Sequence, residues 1–209
     1  MTEPLVRRWR PALAGLACCA VVFGAAWAWL EHAPGRVPSL ERDVFTAING
    51  WPDALRPLLW TVMQLGNFWV CVIAPLIVLA AFRRPAPAIT AALATFAAWL
   101  LAKVVKEVVD RARPGDVLLE VRLRDGDPGG FGFVSGHAAV AFALATALAP
   151  WWPRRWMAVA GYALATVVAI ARVYVGAHLP LDVIGGAALG VACGLVARLA
   201  VGVPVPSDG

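Results

Sequence analysis

Apolar residues run through this 209-residue chain in long blocks, not in the short alternations or narrow stripes of a water-soluble domain. Residues 11–30, 57–82, 85–102, 128–153 and 156–171 contain no Asp, Glu, Lys or Arg. Uncharged runs of about 18 or more residues are long enough to cross a bilayer as a helix. The blocks and the breaks between them predict six spans, at 11–30, 58–82, 86–106, 135–152, 155–175 and 180–201. The fold class expected is all-α, a polytopic transmembrane bundle forming a single integral membrane domain over 1–209. Pro75 is expected to kink the second span, which a membrane helix tolerates when neighbours satisfy the freed carbonyl. Pro153 separates the fourth span from the fifth, and Pro180 suits the first turn of the sixth. Residues 31–57 mix charges with proline and Trp51, and predict an interfacial loop or a short amphipathic segment.

Composition narrows the class further. The chain is 61% hydrophobic and 15% charged, against about 45–50% and about 25% for a soluble domain. That balance excludes a soluble enzyme, a disordered chain and a disulfide-stapled module. The net charge of +5 is scattered over helix ends without forming a basic stripe, which argues against nucleic acid as a partner. Orientation follows from the same charges. With six spans, one face gathers Arg7, Arg8, Arg10, Arg83, Arg84, Arg154, Arg155 and Arg198 against only Glu3 and Asp208. The positive-inside rule makes that face cytoplasmic, with both termini on it. Trp60, Trp99, Trp151 and Trp156 fall near span ends, where aromatic belts form. Arg7, Arg8 and Arg10 before an apolar run resemble the start of a signal peptide. The run is long and further spans follow, so it is read as a retained first helix. Cys18, Cys19, Cys71 and Cys193 all lie inside apolar runs and predict neither disulfides nor metal ligation.

The reactive residues gather at one set of helix ends. His137 follows Ser135-Gly136 at the start of span four, and His178 precedes span six, four residues before Asp182. Lys103 and Lys106, the chain's only lysines, end span three, with Arg113-Pro114 just beyond, and Arg172 closes span five. Alternation of the spans places all of these on the face opposite the termini. Each has an ordinary reading. Lys106 snorkels, Arg113 and Arg172 meet headgroups, Ser135 caps a helix and Asp182 complements a macrodipole. His137 or His178 alone reads equally well as an interfacial histidine, and His32, with no partners nearby in sequence, reads only that way. The ordinary readings explain each residue and not their convergence.

The chemistry that fits the set is phosphoryl transfer without a metal. Phosphate carries concentrated negative charge and needs Arg and Lys donors around its oxygens. Ser135, Gly136 and the first amides of span four add a helix N-terminus, with glycine allowing close backbone approach. A neutral imidazole at His178 can attack phosphorus while Asp182 orients it, and His137 can protonate the leaving oxygen and then activate water. No carboxylate cluster, HExxH or DxD arrangement offers a divalent metal site, so no metal and no cofactor are expected.

These residues resemble the signature of the type 2 phosphatidic acid phosphatase superfamily, which also includes vanadium haloperoxidases. Its Lys-x6-Arg-Pro is matched by Lys106 through Arg113-Pro114. Its Pro-Ser-Gly-His appears as Val134-Ser135-Gly136-His137, and its Ser-Arg-x5-His-x3-Asp as Ala171-Arg172, His178 and Asp182. The match covers residues 106–182 in the family's order. The resemblance implies packed helices with the site at the extracytoplasmic surface and a phosphohistidine on His178 assisted by Asp182. It implies leaving-group protonation by His137 and phosphate held by Lys106, Arg113, Ser135, Gly136 and Arg172. Val134 in place of proline should loosen the backbone before the loop. Ala171 in place of serine removes a hydroxyl whose contact with a charged partner is worth about 1.5–3 kcal/mol.

A site at the interface points to a lipid phosphate whose tail stays in the bilayer. Arginine over lysine, with abundant Ala, Val, Pro and Gly, suggests a GC-rich bacterial genome and hence a bacterial inner membrane. Small bacterial members of the family mostly resemble polyprenyl diphosphate phosphatases, or phosphatidylglycerophosphate and phosphatidate phosphatases. A polyprenyl (di)phosphate is the preferred expectation. The loop at 115–133, with Arg122, Arg124, Asp125 and Asp127, is the expected headgroup selector. A phosphotransferase using the same histidine, and a non-catalytic lipid-phosphate binder, stand as alternatives. Sequence sets no oligomeric state.

Overall fold

The structure, a computed structural model, describes residues 4–32, 36–126 and 129–205. Nearly all of the secondary structure is helical. The long helices are α1 (Trp9–His32), α5 (Pro85–Val109), α8 (Arg155–Tyr174) and α9 (Pro180–Val201). Shorter ones are α2 (Ser39–Asn49), α3 (Arg56–Met63), α4 (Phe68–Phe82), α6 (Pro114–Val117) and α7 (Gly136–Leu148). Two short strands, β1 (Leu5–Val6) and β2 (Val203–Pro204), pair antiparallel and tie the two ends of the described chain together.

The long helices carry large apolar side chains on their outer faces, including Val21 on α1, Phe96 and Val104 on α5, and Val159 on α8. In water such a surface would be unstable; against lipid it is the ordinary solvent face. α7 lies at the centre, packed against α5, α8 and α9. Its wall is almost all small: Ala138, Ala139, Ala143 and Ala147 are fully buried. Opposite them α9 presents Gly186, Gly190 and Gly194 at four-residue spacing. A Cβ on Gly190 would collide with the Ala139 carbonyl, and one on Gly194 would stand 2.5 Å from Thr146 Cβ. Small residues at this spacing let two membrane helices touch backbone to backbone.

Four helices are long and apolar enough to cross a membrane, and a fifth crossing exists if the bent pair 53–66 and 68–82 is one span. The expected unbroken span at 58–82 is therefore corrected: its two parts meet at 73°. The break lies at 64–67, not at Pro75, which sits inside α4. Its cause is local. Asn67 is extended and its side chain accepts from Trp69 N at 2.6 Å, starting α4 afresh. Gly66 lies so close to the His137 backbone that only glycine fits. The expected span at 135–152 is also shorter than drawn, an apolar helix over Gly136–Trp151 whose last turn is a 3-10 turn, Ala149–Trp151. Protein surrounds this segment on most sides, so lipid thickness does not set its length. The chain is a multi-pass membrane protein.

The segment at 31–57 resolves into α2, an amphipathic helix that buries Glu41, Phe45 and Asn49 against α8 and α9. His32, at the end of α1, lies with Nδ1 2.7 Å from the Ala28 carbonyl oxygen. The four cysteines are unpaired.

Candidate active site

Helix ends build the site. Lys106 lies in the last turn of α5 and Arg113 just before α6, while Ser135 caps α7 and Gly136 and His137 open it. Arg172 lies in the last turn of α8, His178 in the linker, and Asp182 in the first turn of α9. His137 is close enough to Arg172, His178 and Lys106 for their charges to interact, and Lys106 likewise to Arg113, Asp182 and Arg172. The residues singled out from sequence thus stand together at one end of the bundle.

The linker between α8 and α9 explains how His178 is held. Gly176 takes φ +81°, with Arg122 O only 2.7 Å from where a Cβ would be. Ala177 N and His178 N then both donate to Arg172 O, at 3.1 and 3.3 Å, closing the end of α8. Asp182 Oδ2 accepts from Leu179 N at 2.8 Å, a helix cap that also aims the carboxylate back at the linker. His178 Nδ1 lies 3.5 Å from that oxygen, beyond a formed hydrogen bond, and has no other partner among the described residues. Burial pushes the His178 imidazole well below its usual range, to about 3, with Asp182 pulling it back up and Lys106 adding to the depression. It is a neutral base at physiological pH.

The cations are already engaged by backbone. Lys106 Nζ donates to Phe131 O and Gly132 O at 2.7 and 3.1 Å. Arg113 Nε donates to Gly129 O and Gly130 O at 2.6 and 3.0 Å, and its NH1 to Ala177 O at 2.7 Å. Together they pull the 129–132 loop over the helix ends. Arg172 is buried; its NH1 lies 3.3 Å from Asp125 Oδ2 and 3.4 Å from Met63 Sδ, and its Nε has no partner among the described residues. Such a donor, buried beside a histidine, is what an anion would satisfy. Ser135 Oγ accepts from Ala138 N at 3.5 Å, while Ser135 N donates to Asp182 O at 2.8 Å. A Cβ on Gly136 would meet only Ala102, at 3.9 Å, so the protein itself does not require glycine there.

Both departures from the signature have a structural answer. Val134 is fully buried in the apolar core with Phe133, and the Ser135 amide beside it donates to Asp182 O. Ala171 packs among Leu59, Met63 and Tyr174, facing apolar side chains.

Two residues that sequence reading passed over complete the arrangement. Arg111 NH1 donates to Asp182 Oδ1 at 2.6 Å and its NH2 to Glu41 Oε2 at 2.7 Å. Glu41 Oε1 in turn accepts from Leu181 N at 2.9 Å. The charge of Asp182 is therefore balanced by the buried Arg111 guanidinium. The signal was available: a buried carboxylate needs a cation, and Arg111 lies inside the lysine-to-arginine motif. Glu41 lies among the apolar positions of α2, four residues before Phe45. In the 115–133 loop, Arg124 is structural. It donates to Asn49 O, Tyr174 O and Trp51 O, pairs with Asp53 at 2.7 Å and stacks on the Tyr174 ring. Arg122 is pinned through its backbone to Asn49. Asp125, held by Trp60 Nε1 at 2.9 Å, reaches the site; Asp127 lies outside the described residues. Among the described residues no three His, Cys, Asp or Glu side chains are grouped to share a metal ion.

With this geometry established, likeness to known proteins is informative. The chain is 34% identical over 131 residues to the lipid A 4'-phosphatase of Bacteroides thetaiotaomicron, covering 55% of this chain and 57% of that protein. It is 34% identical over 122 residues to the undecaprenyl-diphosphatase of Sulfolobus acidocaldarius, covering 58% of each. The chain thus spans little more than half the length of these curated relatives. Its fold matches the crystal structure of Aquifex aeolicus LpxE with a TM-score of 0.69 and 26% identity, over 77% of this chain and 95% of that one. It matches the PAP2-type phosphatidylglycerolphosphate phosphatase of Bacillus subtilis with a TM-score of 0.68 at 21% identity, over 88% and 94%, a likeness of fold. The PAP2 superfamily profile matches residues 87–203, more than half of the sequence and all of the helix ends described above, and the chain belongs to the PAP2 superfamily.

Proposed function

We propose that this protein is a metal-independent lipid-phosphate phosphatase that works through a phosphohistidine on His178. The observation that carries the reading is the buried His178–Asp182 pair, at 3.5 Å, with Lys106, Arg113 and Arg172 around it. In the first step His178, neutral because it is buried, attacks phosphorus through the ring nitrogen away from Asp182. The bond from the terminal phosphorus to its bridging oxygen breaks, so the lipid alcohol leaves from a monophosphate and the lipid monophosphate from a diphosphate, and His137 gives the leaving oxygen its proton. Asp182, fixed by Arg111 and the Leu179 amide, stabilises the positive charge that develops on the imidazole. Lys106, Arg113, Arg172 and the Ser135–Gly136 turn hold the phosphoryl oxygens. In the second step His137 takes a proton from water, the resulting hydroxide attacks phosphorus, and inorganic phosphate leaves with His178 restored.

The substrate class is a lipid bearing a phosphate monoester or diphosphate, with a polyprenyl diphosphate preferred. The named activity of the undecaprenyl-diphosphatase relative supports that preference, and that of the lipid A 4'-phosphatase supports a sugar-linked lipid phosphate as the second reading. Asp125 is the headgroup selector. It shares Arg172 with the incoming phosphate and so sets how that phosphate is placed. Asp125→Asn is expected to change KM unequally for a polyprenyl diphosphate and the monophosphate; equal changes would remove Asp125 from selection.

The bundle lies in a bacterial cell membrane with the site extracytoplasmic and both termini cytoplasmic, six crossings being made when α7 and the bent pair each count as one. The arginines at the end opposite the site support that orientation. The test is phosphate release by the detergent-solubilised protein with EDTA present. A polyprenyl diphosphate, a lipid A-type sugar phosphate, phosphatidylglycerophosphate and phosphatidate would be compared. Turnover on at least one of them, abolished in His178→Ala, is expected; turnover that EDTA stops would overturn metal independence.

A further inference from the structure

The end of the bundle opposite the candidate active site holds a cavity of about 770 Å³. Its walls come from the start of α1, the turn between α7 and α8, the last turns of α9, and the β2 strand with Val205. Three arginines line it: Arg8, Arg155 and Arg198. The rest of the lining is apolar or proline, with Trp152, Leu195 and Leu199 prominent, and no carboxylate lines it among the described residues. Arg198 alone has an ordinary explanation, since a cation in the last turn of α9 complements that helix's dipole. Arg155 sits in the first turn of α8, at the positive end of the dipole; the positive-inside rule explains its side of the membrane and not its place in this cavity. The N-terminus of α8 has no side-chain cap. Three cations and the first amides of α8 therefore face one concave space that has no anion among its described lining residues, an arrangement that an anionic ligand would fill.

We propose that this cavity binds the phosphate headgroup of an anionic glycerophospholipid from the leaflet opposite the active site. The phosphate sits between the three guanidinium groups and the α8 amides, and the acyl chains leave along the apolar wall. Paired termini are part of the site. Through β1 and β2 they close one side of it, so lipid bound there also fastens the two ends of the chain. General attraction of anionic lipid to cytoplasmic arginines is a different property, and Arg83 serves as the control. It is exposed, lies in the α4–α5 turn and does not line the cavity.

The experiment is native mass spectrometry and thermal unfolding of the detergent-purified full chain, titrated with dioleoylphosphatidylglycerol, dioleoylphosphatidylcholine or inorganic phosphate. Phosphatidylglycerol is expected to bind saturably and raise the unfolding midpoint. Affinity should fall about fivefold for each arginine lost in Arg155→Gln and Arg155→Gln/Arg198→Gln, and stay unchanged in Arg83→Gln. Occupancy of the active site, at the far end, does not respond to these substitutions. Arg155 is exposed, so its replacement does not threaten folding and keeps the test valid if the double variant is unstable. Equal binding of phosphatidylcholine, equal loss in Arg83→Gln, no loss in Arg155→Gln, or a cavity-dependent response to inorganic phosphate with none to the lipid would each overturn the proposal.

Discussion

At the scale of single residues, Arg111 decides how Asp182 can remain charged at zero exposure. Its fork spans Asp182 and Glu41, so removing it strands two buried carboxylates. Arg111→Met is expected to destabilise the protein by about 3–5 kcal/mol, the usual result of breaking one side of a buried ion pair. Arg111→Lys should recover only part of that loss, because a lysine cannot bridge both acids. Unfolding in detergent measures both, and the same variants should lower kcat through the misaligned His178. The imidazole makes a second prediction. Its folded-state pKa, about 3, lies below the ordinary 6.5, so between those values the unfolded chain holds a proton that the folded chain does not. Stability should therefore fall as pH drops from about 6.5 toward 3, and His178→Gln should flatten that decline. A pH series of unfolding midpoints for the two proteins checks it. Sequence spacing singled out His178, Asp182, Lys106, Arg113 and Arg172, which the fold brings to one end of the bundle, because local motifs keep their meaning in one dimension. Arg111 lay inside the lysine-to-arginine motif, but spacing did not assign it to Asp182, and Glu41 was not legible at all, since nothing in spacing joins position 41 to position 182.

At the scale of elements, helix ends do the positioning, and they are precise because the helices touch through small residues. Gly190→Leu forces α9 away from α7 where the Ala139 carbonyl now lies, and overpacking of that kind costs about 1–3 kcal/mol or more. Reduced thermal stability with activity lost in parallel is the expected outcome. Gly66→Ala tests the broken span separately. The added methyl meets the His137 backbone, so activity should fall by about ten- to a hundredfold, a loss that a misplacement of about 1 Å can cause. Gly136→Ala, which meets only Ala102 inside the protein, should leave stability unchanged. Apolar runs predicted the long helices α1, α5, α8 and α9 closely, because lipid-facing composition is a strong and extended signal. They did not reveal the break at 64–67. Hydropathy cannot distinguish a straight span from a bent one, and the cause is one glycine contact and one asparagine cap.

At the scale of the whole molecule, chemistry and charge are divided between the two ends of one bundle. Lys106, His137, Arg172, His178 and Asp182 stand at one end, where α2 and the 115–126 segment close over the helices. Arg8, Arg155 and Arg198 stand at the other, beside the paired termini. The α7 helix joins them, with His137 at its start and Ala149–Trp151 at its finish. Catalysis through a phosphoryl group on His178 leaves that group on the protein during turnover. Mixing the protein with a ³²P-labelled polyprenyl diphosphate, quenching in alkali and counting label on the protein detects it. Wild type should carry an acid-labile, alkali-stable label on His178, absent in His178→Ala. His137→Ala, slowed by about 10²–10⁴-fold in its acid–base steps, should still accumulate it. Turnover with no labelled protein, or label retained in His178→Ala, would contradict the account.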